Sequence, residues 1–415
     1  MEETQLLPHL FRTEYTKITA VLCKLFGIEH IETAEDIVSD TFLQAAETWG
    51  LKGLPPNPTA WLYRVSKNKA IDFLRRQKLF TGKVASALRP SDLTAPEPEI
   101  DLSKENINDS QLQMMFAICH PAISAESQIS LCLSILCGFG AEEIADAFLT
   151  NKDTVYKRLV RAKEKLKAEK IQIELPAPAV ISGRLEAVLT TLYLLFSEGY
   201  YSASQNTTLR KELCVEAMRL NLMLLENENT NTPAANALLS LMCFHSSRFD
   251  ARTDSDGDTV LYEAQDESLW NMELIAKGEY YLNLASQGRQ LTKYHLEAAI
   301  AYWHTCKEDT KEKWENILQL YNKLLQVEYS PIAALNRTYA LSKANSRGEA
   351  IAEAEKLQLT DNHLYFSLLA HLYTDFDNST ALKHLQKSLA LARTKADKKM
   401  ITTRIDQLTQ SFPKK

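Results

Sequence analysis

Trp61, Arg64, Asn68, Asp72 and Arg75 recur at i, i+3, i+7, i+11 and i+14, so on a helix they share one face. An indole, an amide and two guanidiniums along one groove can stack an unpaired base, bond to its edge and neutralise phosphate. That is the chemistry of gripping a single strand. Asp72 also has a plainer use, pairing with Lys69, Arg75 or Arg76 on its own helix. Farther on, Thr154, Lys157, Arg158, Arg161 and Lys165 collect opposite an apolar stripe of Val155, Leu159, Ala162 and Leu166. Arg and Lys in that array suit phosphates and guanine edges, and Thr154 suits phosphate or a thymine methyl.

Local elements must position both rows. The first row follows GLKGLPPNPTA at 50–60, a loop shaped by Gly and Pro and placed to meet a base. Before it, Ala34, Ile37, Val38, Thr41, Phe42 and Ala45 make an apolar helical stripe that leaves Glu35, Asp36, Ser39, Asp40 and Gln44 outward. Asp36 and Asp40 repel at i, i+4 by about a few tenths of a kcal/mol, a cost that a basic partner would offset. The second row follows a short helix at Glu142 to Phe148, with Ile144, Ala145 and Phe148 inward. Its turn ends at Asn151, suited to cap the next helix. Two such helices describe a helix-turn-helix whose second helix enters a major groove.

The chain has 415 residues, 45% hydrophobic content and a net charge of -6, enough for two or three domains with cores. Only 12 Gly and 13 Pro stand among abundant Ala, Leu, Glu and Lys, which predicts an all-α fold. Cations concentrate at 60–89 and 152–170, although neither half of the chain is basic overall. A local basic face can hold nucleic acid where net charge cannot. The seven cysteines are odd in number and sit in apolar helical patterns, as reduced buried thiols do. No apolar run in the sequence suggests a membrane span, and the first residues lack a secretory pattern, so a cytoplasmic protein is expected.

Three ordered blocks, AEDIVSDTFLQA, WLYRVSKNKAIDFLRR and EEIADAFLTNKDTVYKRLVRAKEKL, resemble regions two and four of bacterial extracytoplasmic-function sigma factors. The resemblance implies a subunit that binds core RNA polymerase at its clamp and flap regions and directs promoter-specific initiation. It implies polymerase contacts by Glu35, Asp36, Ser39 and Asp40. Contacts with the -10 element would come from Trp61, Arg64, Lys67, Asn68, Arg75 and Arg76, and contacts with the -35 element from Lys152, Thr154, Lys157, Arg158, Arg161 and Lys165. Asn68 falls where the family places an amide near a flipped base, and capturing such bases is how the strand is opened. Ser39 stands where the family usually has Gln, and Leu149 where many relatives have Gly in the turn.

The expected organisation is region two at 5–80, a flexible linker at 81–110, region four at 111–172, an all-helical adaptor at 183–288 and helical hairpins at 289–410. The C-terminal part resembles the sigma subgroup with a tetratricopeptide-like extension. Ala350, Ala354 and Ala381 supply its small-residue cue, although the interval between Ala350 and Ala381 is shorter than the usual roughly 34 residues. Stacked hairpins commonly bind a protein or peptide, and a covalently attached extension suggests regulation in cis. Asp254, Asp256 and Asp258 imitate a calcium loop, but Gly257 is misplaced and Gln265 stands where Glu is required. Cys243 with His245, and Cys119 with His120, lack the spacing of a zinc site. No metal, cofactor or enzymatic motif is expected. A free-standing activator using only the second helix pair is the alternative.

Overall fold

The computed structural model describes residues 3–84, 100–201, 207–252, 260, 262–306 and 308–410. All regular structure among the described residues is helical. The chain forms two compact units, Met1–Thr230 and Asn231–Lys415.

The first unit contains α1 (Glu3–Phe26), α2 (Ile31–Lys52), α3 (Pro58–Val84), α4 (Lys104–Ile118), α5 (Ala125–Leu131), α6 (Ala141–Ala147), α7 (Lys152–Ala168), α8 (Pro178–Tyr201) and α9 (Thr207–Leu225). Its helix starts follow short-range chemistry. Asn57 Oδ1 accepts the Ala60 N–H at 3.0 Å ahead of α3, whose first residue is Pro58. Ser103 accepts the Asn106 N–H ahead of α4. Ordered structure thus begins inside the stretch expected to be linker, because Ile100 and Ile107 are buried and Ser103 caps the helix between them. Residues 85–99 lie outside the described residues.

α4 is the hub of this unit. Met114, Met115, Phe116 and Ile118 are almost wholly buried, because α1 covers one side while α8, α9 and the π turn Cys132–Leu136 cover others. Each such side chain contributes about 1.5–3 kcal/mol by leaving water. Gly138, just past the π turn, has φ 73, and a Cβ there would stand 3.3 Å from Thr16 Cγ2 on α1. Only glycine gives both the left-handed turn and this approach without strain.

One expectation is corrected here. α8 has 24 residues and a mean hydropathy of 1.5 in its best window, so by length and composition it could cross a membrane. Its apolar residues are shared with neighbours instead. Leu185, Val188, Leu189, Leu192, Leu195 and Phe196 are buried, and Thr191 Oγ1 donates to Gln128 Oε1 on α5 at 2.7 Å. In the sequence the run is interrupted by Arg184 and Glu186 in its N-terminal part.

The second unit contains α10 (Pro233–Ser247), α11 (Met272–Ala285), α12 (Lys293–Trp303), α13 (Lys311–Val327), α14 (Pro331–Ala344), α15 (Arg347–Leu357), α16 (His363–Tyr373), α17 (Asn378–Leu391) and α18 (Lys395–Gln410). α10 packs against α11 and α12, and a Cβ at Gly278 would come within 2.6 Å of the Phe244 ring. From α13 to α18 each helix packs on the next. Trp314, Ile317, Leu341 and Phe366 share one core, with Ala350 and Ala354 fully buried where helices approach closely. Ala381 takes the same role in the core between α16, α17 and α18. Lys313 is 2% exposed and donates to Tyr262 Oη at 3.0 Å and to the Cys306 carbonyl at 2.9 Å. The acidic segment containing Asp254, Asp256, Gly257 and Asp258 lies outside the described residues.

Candidate nucleic-acid interface

α3 is anchored along one side and open along the other. Leu62, Ser66 and Ala70 are buried, Ser66 Oγ donates to Thr41 Oγ1 at 3.2 Å, and Tyr63 Oη donates to the buried Glu14 at 2.6 Å. Phe73 packs against Phe26 with centroids 4.9 Å apart, and Gln77 meets His30 Nε2 at 3.0 Å. These contacts leave Arg64, Asn68, Asp72, Arg75 and Arg76 exposed. Trp61 and Lys67 are half-buried. The Trp61 indole leans edge-on against Trp49 at 5.4 Å, so its ring is braced at the margin of the exposed row. Asp72 pairs with Arg75 at 3.8 Å, the plainer use open to it.

On α2 the apolar stripe is buried from Ile31 to Trp49, and Asp36, Ser39, Asp40 and Gln44 face outward. The Ser39 hydroxyl lies 3.4 Å from Tyr15 Oη. Glu35 differs from its neighbours. Its carboxylate is 19% exposed and accepts a 2.6 Å hydrogen bond from Lys163 on α7. Burial holds the Glu35 carboxyl above its usual range even though Lys163 opposes the shift. Glu32, one turn earlier, pairs with Lys167. Burial would raise its pKa, but the Lys167 bond and nearby charge carry it below the usual range.

The second row rests on α6 and α7. Glu143 accepts the Gly140 N–H at 2.8 Å to start α6, and Asn151 Oδ1 accepts the Thr154 N–H at 2.8 Å to start α7. Ile144, Ala145 and Ala147 are buried against the α7 stripe of Val155, Leu159, Ala162 and Leu166. Leu149 adopts φ 49 in the intervening turn, the left-handed conformation that Gly takes more cheaply. Lys152, Thr154, Lys157, Arg161 and Lys165 are exposed. Lys152 is 3.7 Å from Glu142, Lys165 is 2.7 Å from Glu169, and the Thr154 hydroxyl donates to Asn151 at 2.8 Å.

Arg158 departs from the expected open face. Its guanidinium is 2.9 Å from Glu126, 3.5 Å from Ser130 Oγ and 5.4 Å from the centre of the Phe148 ring, and its side chain is 20% exposed. It braces α5 against α7 and the turn. Two exposed residues were not foreseen: Leu43, 60% exposed beside Ser39 and Asp40, and Tyr156, 64% exposed beside Lys157. Each is an apolar side chain outside the stripe of its amphipathic helix, the signal by which it could have been found. Lys78, Lys83 and Arg89 of the basic segment have side chains outside the described residues.

None of the seven cysteines, all of them among the described residues, forms a disulfide, and all but Cys306 are buried. Among the described residues no group of three or more His, Cys, Asp or Glu side chains is arranged to hold a metal.

Residues 10–80, spanning most of α1, all of α2 and most of α3, match Sigma-70 region 2. Proteins built on that region are non-catalytic, and the match supports a sigma-type function with RNA polymerase as partner. Residues 184–286 match a family of unknown function (DUF6596). No solved structure matches the chain. An uncharacterized protein of Rhizobium meliloti (strain 1021), R00370, is 32% identical over 385 residues, covering 91% of this chain and 90% of that one. At that identity and coverage the chain belongs to the same family as the Rhizobium meliloti protein, and its own N-terminal helices match Sigma-70 region 2.

Proposed function

We propose that this chain is an initiation factor of the extracytoplasmic-function sigma type, which binds core RNA polymerase, engages promoter DNA at two elements and is regulated in cis by its C-terminal helices. One observation carries the reading. The helices that match Sigma-70 region 2 present an exposed row of Arg64, Asn68, Arg75 and Arg76 beside a braced Trp61, the side chains that holding an unstacked strand requires.

In this reading Asp36, Ser39 and Asp40, with Leu43 among them, meet the polymerase clamp. Trp61, Arg64, Lys67, Asn68, Arg75 and Arg76 hold the -10 strand. α6 and α7 act as the helix-turn-helix, with Lys152, Thr154, Lys157, Arg161 and Lys165 toward the -35 duplex and Arg158 supporting the turn from behind. The helices from α12 onward, within 289–410, act as tetratricopeptide-like hairpins for a protein or peptide partner, and 183–288 acts as the adaptor between initiation modules and repeats.

The test is transcription of sheared genomic DNA by core polymerase with and without the full chain, followed by sequencing of transcript 5′ ends. New, discrete start sites sharing two spaced elements are the expected result. Unchanged start sites would reject the reading.

A further inference from the structure

A cleft of about 580 Å³ opens in the first unit where α1, α4, the π turn Cys132–Leu136 and α9 converge. Neither candidate DNA row, nor the exposed face of α2, contributes to it. Leu136 and Phe139 are buried in its wall, and the Arg12 guanidinium lies 5.7 Å from the centre of the Phe139 ring. Val215 on α9 also lines it and is 60% exposed, an aliphatic side chain with little protein to cover it.

Gln111 is the residue that asks for a ligand. It sits on α4 among the residues of the hub, is 4% exposed and lines the cleft. Its side-chain amide has no hydrogen-bond partner among the described residues. Gln128, the other buried glutamine of this unit, donates to the His120 and Ile123 carbonyls and accepts from Thr191. An enclosed amide is costly to leave unpaired, so the group that completes Gln111 is expected inside the cleft.

The charges in the wall call for no charged ligand. Arg12 pairs with Glu143 at 2.8 Å and Glu212 at 2.7 Å, Lys17 with Glu14 at 2.8 Å, and Arg219 with Glu216 at 2.8 Å. Lys211, the remaining lysine there, is exposed to water, where its field is screened.

We propose that this cleft binds an uncharged small molecule with an apolar body and one amide head group, the head pairing with Gln111 and the body lying along Leu136, Phe139 and Val215. Small-molecule sites have this character, a mainly apolar wall of similar volume with a few fixed polar groups. An amide offers a donor and an acceptor to match those of Gln111. A carboxylate offers acceptors alone and would bury a charge for which the paired cations give no return. Arg12 and Lys17 fall within the residues matching Sigma-70 region 2, and Val215 within those matching DUF6596, so one ligand touches both. Under the initiation-factor reading, on which this role rests although the binding does not, the cleft is an input for a diffusible signal, separate from any partner of the C-terminal helices.

The experiment is calorimetric titration of the full chain, without polymerase or DNA, against a panel of primary amides with linear or aromatic bodies of roughly six to twelve carbons, each beside its carboxylate counterpart. At least one amide is expected to bind one to one, and at least tenfold more tightly than its carboxylate. Val215→Trp, at an exposed position with room for a larger side chain, should fill the cleft and weaken that amide at least tenfold. Gln111→Leu, which keeps the side chain's bulk, should erase most of the amide's advantage over the carboxylate. Circular dichroism of both variants should match wild type. No saturable binding across the panel, carboxylates that bind as well as amides, or amide binding unchanged by both substitutions would overturn the site. These outcomes judge the cleft alone, whereas the mapping of start sites judges the initiation-factor reading.

Discussion

Lys163 Nζ lies 2.6 Å from Glu35 Oε2 although 128 positions separate the residues, and both side chains are largely withdrawn from solvent. Removing one partner leaves the other charge enclosed, so Lys163→Met should destabilise the chain by about 2 kcal/mol. Glu35→Gln should cost less, since an amide still accepts from Lys163. The double variant should lose less than the sum of the two, because neither charge is then stranded. Urea midpoints of the four proteins give the coupling, and strict additivity would show that the two groups do not interact.

Arg158 and Arg161 should separate in opposite senses. Arg158 is held by Glu126, Ser130 and Phe148, so Arg158→Ala should lower the unfolding free energy by about 1–2 kcal/mol. Arg161 is exposed on α7, so Arg161→Ala should leave the unfolding free energy within about 0.5 kcal/mol and weaken duplex binding by about 1–3 kcal/mol. Titration against labelled duplexes differing at single pairs tells base reading from phosphate contact, since only base reading makes the loss depend on sequence.

Leu149 carries its side chain into a left-handed turn while remaining 63% exposed, so it bears strain with little packing in return. Leu149→Gly should raise stability by about 0.5–1 kcal/mol after the extra backbone freedom of glycine is allowed for. A lowered thermal midpoint would show that the leucine makes contacts worth more than the strain.

Asp36 stands exposed on α2 beside Ser39, Asp40 and Leu43. Under the proposed function Asp36→Arg should weaken binding to core polymerase at least tenfold and leave duplex binding by α7 unchanged. Co-sedimentation with core enzyme and a gel-shift assay measure the two separately.

His304 in the second unit is enclosed beside Tyr262 and Trp314, and burial, with the charges of Arg248 and Lys313, pushes its pKa down to about 3 from the ordinary 6.5. The unfolded chain therefore binds a proton that the folded chain refuses between those values. This contribution to stability is complete above pH 6.5 and declines on acidification, by about 1.4 kcal/mol at pH 5.5. His304→Phe should flatten the dependence of the unfolding midpoint on pH between 5 and 7 by about one proton. An unchanged slope would mean that His304 is protonated in the folded chain.

The local architecture was legible because its signals are short-range. The 3.6-residue period marked the buried stripes of α2 and α7, and Asn151 marked the start of α7 with a cap that needs only three following residues. The onset of α4 within a Pro-rich and acidic stretch was less legible, since Ile100 and Ile107 are ordered by helices distant in sequence. Arg158 and Glu35 looked like solvent-facing charges for the same reason: periodicity says which side of a helix is polar and nothing about what lies across from it.

By itself the sequence determined an all-helical chain with cations gathered on two helical faces, because helix propensity and amphipathic period are written within a few turns. Only the tertiary structure decided which of those charges stay open to a partner. Burial, desolvation and ion pairing depend on residues brought together from far along the chain, and they turned Lys163, Lys167 and Arg158 inward while leaving Arg64, Asn68 and Arg161 exposed.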